Sequence, residues 1–258
     1  MFREIFQYRD LLLMLTLRDI KIRYRQAVMG FLWAIFMPMM AVLAGILVKK
    51  AISIVSGKPL EFSGIVSISV KVLPWTFFVS AIRFSVQSLV GARELITKIY
   101  FPREVIPLAS IFACLFDFFI ASITLIILLF WIRIGVSIYL LWLFPLLLSL
   151  IMLTSGLGLF LSSANLFYRD VKYIVEIILM FGIFFTPVFY DADMFGKWKV
   201  ILLLNPVGSI LEAIKNVVVL HKSPDIFWSL YAIIISLMIF FAGFSIFHKK
   251  EPLFAENI

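Results

Sequence analysis

The stretch RDIKIRYRQAVMGFLWAIFMP, Arg18 to Pro38, passes from a dense cationic run directly into an uninterrupted uncharged one. Arg18, Lys21, Arg23 and Arg25 stand within eight positions, and from Val28 to Val48 no side chain is charged. Twenty-one residues at about 1.5 Å each make a helix of roughly 31 Å, the hydrocarbon thickness of a bilayer. The stretch reads as a membrane span with a positive collar, and a positive collar marks the cytoplasmic side.

Composition extends that reading to the whole chain. Of the 258 residues 63% are hydrophobic and only 15% charged, and the mean hydropathy is +1.10, far from the soluble average of about a quarter charged. The net charge of +8 is divided among loops rather than gathered on one face with exposed aromatics, which fits topology and anionic headgroups and argues against nucleic acid. The single cysteine, Cys114, lies in an apolar run and excludes an intramolecular disulfide or a cysteine metal cluster. The charged first 26 residues precede a full-length span rather than a short cleavable one, so no signal peptide is expected.

Outward from the opening stretch, the pattern predicts an all-α integral membrane protein with six transmembrane helices, forming one domain over 1–258. Residues 1–27 form an amphipathic lead-in whose apolar part, Leu11 to Leu17, is too short to cross and should lie in the interface. Spans one to five occupy 28–190, at about 28–48, 72–90, 106–132, 138–161 and 173–190. Between the first two spans, 51–71 reads as a mixed loop. Residues 91–105 read as a charged helix stopped by Pro102. The short loop 162–172 contains Arg169-Asp170-Val171-Lys172, an echo of Arg18-Asp19-Ile20-Lys21. Span six is placed at 226–248, with a polar tail at 249–258.

Residues 191–225 hold apolar runs too long to be solvated and too short to span. Val207–Leu220 reaches only about 21 Å as a helix, against a core of about 30 Å. A re-entrant helical hairpin on the outer side is the physical solution, tolerated where protein or a cavity satisfies the broken backbone. Thirteen lysines and arginines then fall on the collar side and nine on the other. That bias places both termini in the cytoplasm.

Two charges lie inside the spans. Arg83 near the centre of span two costs about 2.5–3.5 kcal/mol on insertion scales, so it needs a protein neighbour or a wet cavity. Asp117 stands at a similar depth in span three, which predicts an Arg83–Asp117 pair or a shared polar cavity. No reactive constellation accompanies them: the sequence has no H-E-x-x-H, no G-x-S-x-G and no phosphate-binding G-x-x-x-x-G-K-[ST], and His221 and His248 stand at the ends of different elements. The expectation is therefore a transport subunit with no catalytic, metal or cofactor site of its own. Uphill movement would need an ion gradient or a separate ATPase.

Four segments in this order, RDIKIRYRQAVMGFLWAIFMP, FPREVIPLASI, NLFYRDVKYIVEIILMFGIFFTPVFY and NPVGSILEAI, resemble the membrane subunit of type-2 ATP-binding-cassette exporters. The resemblance is greatest to the polysaccharide branch, which exports O antigen, capsule or teichoic acid chains on a lipid carrier. It implies a homodimeric permease in the bacterial inner membrane, working with membrane lipids and two copies of a nucleotide-binding subunit that holds ATP and magnesium. It also implies an ATPase-coupling interface at Arg18, Arg23, Arg93, Glu94, Lys98, Arg103, Glu104, Arg169 and Asp170. Short helices at about 196–220 would close the outer side of the pathway. Sugars pack their C–H faces on aromatic rings, so Trp33, Phe36, Trp75 and Tyr190, on spans one, two and five near breaks or interfaces, are the pore-lining candidates. The same spans also fit an exporter of drugs or small lipids, and, from another class, a membrane-embedded lipid-modifying enzyme.

Overall fold

The uncharged runs of the sequence become helices because a backbone without water to bond must satisfy its own N–H and C=O groups. The computed structural model describes residues 7–25, 30, 32–56, 62–98, 101–131 and 133–254. In chain order the helices are α1 (Arg9–Tyr24), α2 (Leu32–Ser56), α3 (Phe62–Gly91), α4 (Arg93–Lys98), α5 (Val105–Trp131), α6 (Leu143–Phe167), α7 (Val171–Phe185), α8 (Lys199–Leu204), α9 (Pro206–Val218) and α10 (Ile226–Lys250). Tight 3-10 turns stand at Ile138–Trp142, Ala192–Trp198 and Glu251–Leu253. Among the described residues there is no strand.

Among the described residues, five segments are long and apolar enough to cross a membrane: Leu32–Val55, Ser63–Gly91, Val105–Trp131, Ile138–Phe167 and Ile226–Leu253. The chain is an all-α, multi-pass membrane protein. In the place of the expected fifth span, α7 has 15 residues, about 22 Å. It stops at Thr186, which is extended (φ −117°, ψ 133°), because a residue before proline is pushed out of the helical region and Pro187 follows.

Two expected loops prove to be mostly helix. α2 continues through Lys49 and Lys50 to Ser56, and α3 begins at Phe62 rather than near 72. α6 runs on to Phe167, leaving only 168–170 of the expected loop 162–172 outside helices. In both cases polar side chains that read as loop are bonded within the protein. Asn165 donates to the Val86 carbonyl (3.0 Å) and accepts from the Lys172 N–H (3.2 Å), tying α6 to α3 and to the start of α7.

α3 is the central helix and packs against α2, α5, α6, α7 and α9. α1 packs along α5: Leu15 is buried, Ser110 Oγ donates to Asp19 (3.1 Å), and Arg23 reaches further along α5 to Asp117. Leu15, Leu89, Ile96, Phe101, Val105, Leu166, Phe247 and Phe254 form one apolar cluster that gathers α1, α4 and the adjoining ends of α3, α5, α6 and α10 into what we term the collar end. The opposite, hairpin end holds α8 and α9, both too short to cross.

α6 and α10 come into backbone contact where Gly156 faces Gly243. A Cβ on Gly243 would collide with the Gly156 carbonyl oxygen, and one on Gly156 would stand 2.5 Å from the Ile239 carbonyl oxygen. Small residues that let backbones touch are the usual basis of helix pairing in membranes. Gly243→Val should therefore lower the thermal stability of the purified protein by more than about 3 kcal/mol or prevent its recovery. Gly182→Ala, whose Cβ would meet only Trp75 at 3.4 Å, should change it by less than about 1 kcal/mol. Melting in detergent micelles compares the two.

Candidate transport cavity and coupling surface

A cavity of about 550 Å³ opens between α1, α2, α3, α5 and α7. Pro38 shapes its α2 wall: lacking an N–H, it leaves the Ala34 carbonyl one turn back without its intrahelical donor, and both residues face the cavity. Trp33 and Trp75 contribute rings to the wall, while Phe36 and Tyr190 do not. Phe36 stands edge-on to Trp33, centroids 5.6 Å apart. Tyr190 lies at the hairpin end, its hydroxyl donating to the Phe184 carbonyl (2.7 Å) and its ring 5.0 Å from Phe195.

Arg83 and Asp117 both line this cavity, yet they do not pair. Asp117 accepts from the Arg23 guanidinium and from the Tyr24 hydroxyl (2.6 Å), while Arg83 Nε lies 3.3 Å from Glu176 Oε1. The expected single pair is thus replaced by two, because α1 brings a second arginine alongside α5 and α7 supplies a second carboxylate. Arg23 also sits 4.3 Å over the Phe84 ring. Burial, and then the bond to Asp117, push the Tyr24 phenol above its ordinary range, so it stays protonated as a donor. Each charge on the wall, Arg23, Arg83 and Asp117, thus has an opposite partner, Glu176 meeting Arg83 from outside the lining, the arrangement that makes intramembrane charge tolerable.

The hairpin end contains a buried ion cluster. Lys71, almost wholly enclosed, donates to the Tyr190 carbonyl (2.6 Å), Asp191 Oδ1 (3.0 Å) and Glu212 Oε1 (3.2 Å). Lys215 bonds Glu212 and lies 3.3 Å from Asp191 Oδ1, and Lys49 reaches Asp191 Oδ2 (3.3 Å). Burial alone would raise the Asp191 carboxyl, but Lys71, Lys215 and Lys49 hold it well below the usual carboxylate range. α9, which carries Glu212 and Lys215, is fixed at its start: Pro206 occupies the first turn, where no N–H is needed, and Asn205 Oδ1 accepts from the Val207 N–H (3.1 Å). The cluster fastens α2, α3, the 186–192 turn and α9 to one another.

At the collar end the nine residues expected to meet an ATPase divide by direction. Arg18, Arg93, Glu94, Lys98, Arg169 and Asp170 are exposed. Arg23, Arg103 and Glu104 are turned inward: Arg23 to Asp117, Arg103 to the Glu251 carbonyl (2.7 Å), and Glu104 to His248 Nδ1 (3.0 Å).

Sequence reasoning passed over Glu176 and the five members of the hairpin cluster. The signal existed in each case as a charge within an apolar run, Glu176 early in α7 and Glu212 with Lys215 one turn apart on α9. Lys71 is hidden by the reading of 51–71 as a loop, and Lys49 by standing where the first span was expected to end.

Residues 10–219 match the family model of the ABC-2 type transporter. Over 267 aligned residues the chain is 30% identical to the O-antigen export system permease protein RfbA of Myxococcus xanthus, with 99% of this chain and 98% of that protein covered. It is 28% identical over 253 residues to a protein of the same name from Klebsiella pneumoniae, covering 96% and 94%.

The pairing in the cavity yields a cycle test. Arg23→Ala and Asp117→Ala should each destabilise the protein, and the double change should cost about 1–3 kcal/mol less than their sum, as contacting partners do. Arg83→Ala with Asp117→Ala should add to within about 0.5 kcal/mol. Thermal melting of the five variants in micelles decides between the two patterns.

Proposed function

Because the chain belongs to the ABC-2 type transporter family, we propose that it is the membrane subunit of an ATP-driven exporter that moves a lipid-linked polysaccharide, O antigen or a similar chain, across the cytoplasmic membrane. One observation carries the substrate: the likeness to permeases named for O-antigen export runs over 99% of the chain rather than over a shared fragment.

A polymer longer than the membrane is thick cannot be handled around one occluded site, so the path is a continuous one between two copies of the chain. α2 supports that reading, since Met37, Met40, Leu43 and Leu47 are exposed along it and are available to lipid or a second copy. The cavity beside α2 carries what a sliding sugar chain needs. Trp33 and Trp75 offer flat apolar faces, and the flanking charges are already paired, so none of them clamps a passing residue. The lipid carrier travels alongside in the bilayer.

In this reading the collar end is cytoplasmic. Two ATPase subunits, which hold the ATP and magnesium, dock on the exposed set Arg18, Arg93, Glu94, Lys98, Arg169 and Asp170. Their motion enters through α4, whose Ile96 shares an apolar cluster with Leu89 of α3 and Val105 of α5, so α4 cannot tilt without moving both spans. At the other end α8 and α9 form the re-entrant closure of the path, held by Lys71 and its carboxylates.

The docking assignment is tested by the double reversal Arg93→Glu, Lys98→Glu in the complex with the partner ATPase. A loss of about 1–2 kcal/mol of association, roughly 5–30-fold, is expected in co-purification and in stimulated ATP turnover, with the membrane level of the protein unchanged. Wild-type association and turnover would remove α4 from the interface.

A further inference from the structure

At the collar end, Glu104, His248 and Glu251 each bring one metal-binding atom within 4.8 Å of the others. They come from distant parts of the chain: Glu104 from the elbow before α5, His248 from the last turn of α10, and Glu251 from the 3-10 turn that follows. His248 Nδ1 lies 3.0 Å from Glu104 Oε1 and 3.5 Å from Glu251 Oε2. Ligand atoms about 2.1 Å from a shared ion stand roughly 3.0–3.4 Å apart at angles between octahedral and tetrahedral. The two histidine–carboxylate separations are close to those edges, and the two carboxylates stand within 4.8 Å of each other.

A second observation is independent of that spacing. Glu104 is only 2% exposed, and its Oε2 has no hydrogen-bond partner among the described residues. An enclosed carboxylate oxygen without a donor is costly, and a second carboxylate close by raises the cost. Arg103 serves the Glu251 side of the cluster, its guanidinium donating to the Glu251 carbonyl and its backbone N–H to Glu251 Oε1 (3.0 Å), and the Lys250 ammonium lies over the Phe167 ring. Glu104 itself is met by the His248 imidazole at Oε1, which leaves Oε2 without a donor among the described residues.

We propose that Glu104, His248 and Glu251 form a binding site for a divalent first-row transition ion, with zinc as the occupant best suited to one imidazole and two carboxylates. The imidazole side is open, with the His248 side chain 46% exposed, which gives the ion a route in and leaves room for water as a further ligand. Bound there, the ion staples the end of the last span to the elbow between α4 and α5.

The test titrates zinc into the purified full-length chain by calorimetry, and cobalt by its visible absorption bands. One equivalent per chain is expected in the wild type, weakened about tenfold or more in E104Q, H248A and E251Q. H221A, which removes the other histidine, should bind as the wild type does. Glu251 is the partly exposed ligand, so E251Q keeps the test valid if E104Q does not fold. Absence of stoichiometric zinc in the wild type, or titrations of E251Q and H248A matching the wild type, would overturn the proposal and leave a histidine–carboxylate clamp.

Discussion

A charge within an apolar bundle has to be met by an opposite charge or by several dipoles, since desolvation costs several kcal/mol per ion and neither lipid nor a methyl group returns any of it. In this chain that demand decides where elements stand. Arg23 is met only if α1 runs beside α5, where Asp117 is. Arg83 is met only if α7 lies across from α3, presenting Glu176. Lys71 is met only if the turn after α7 and the buried helix α9 close over α3, bringing Tyr190, Asp191 and Glu212 together. Each pairing joins segments far apart in sequence, so the ion pairs supply specificity that hydrophobic contact among nearly identical apolar helices does not.

The same constraint separates the two ends of the molecule. At the hairpin end three lysines and two carboxylates are drawn inward and hold short helices that would otherwise have no place in a membrane protein. At the collar end the charges split, with Arg103 and Glu104 securing the terminus of α10 while those on α4 and after α6 remain exposed. Exposed charge on a short helix wedged against two spans is the geometry a docking partner can push on, and it is this division that makes the proposed coupling mechanical rather than merely topological.

Much of this was legible from residues alone. The charge-free runs locate the long helices, Pro102 marks the break before α5, and a run of about 21 Å after Asn205-Pro206 identifies a helix too short to cross, observed as Pro206–Val218. Misreadings follow one rule: Lys71, Ser162 and Asn165 look like loop residues because a sequence cannot show that their partners are buried with them. The exchange of Arg83–Asp117 for two other pairs has the same origin, since depth along a helix is readable but the facing direction is not. Of the four aromatic candidates, Trp33 and Trp75 reach the cavity, while Phe36, on the same helix as Trp33 and against its ring, does not, again a matter of facing direction rather than depth. Tyr190 follows the break at Pro187 and leaves with the turn.

The proposed function is that this chain, together with a partner ATPase, carries a lipid-linked polysaccharide through the membrane. The most direct measurement reconstitutes both subunits in vesicles with the ATPase outside, adds lipid-linked polysaccharide there, and follows its protection from an externally added glycosidase. Protection that accumulates only with hydrolysable ATP is expected. Protection that is equal with and without ATP, or none at all from a complex that turns over ATP, would contradict it.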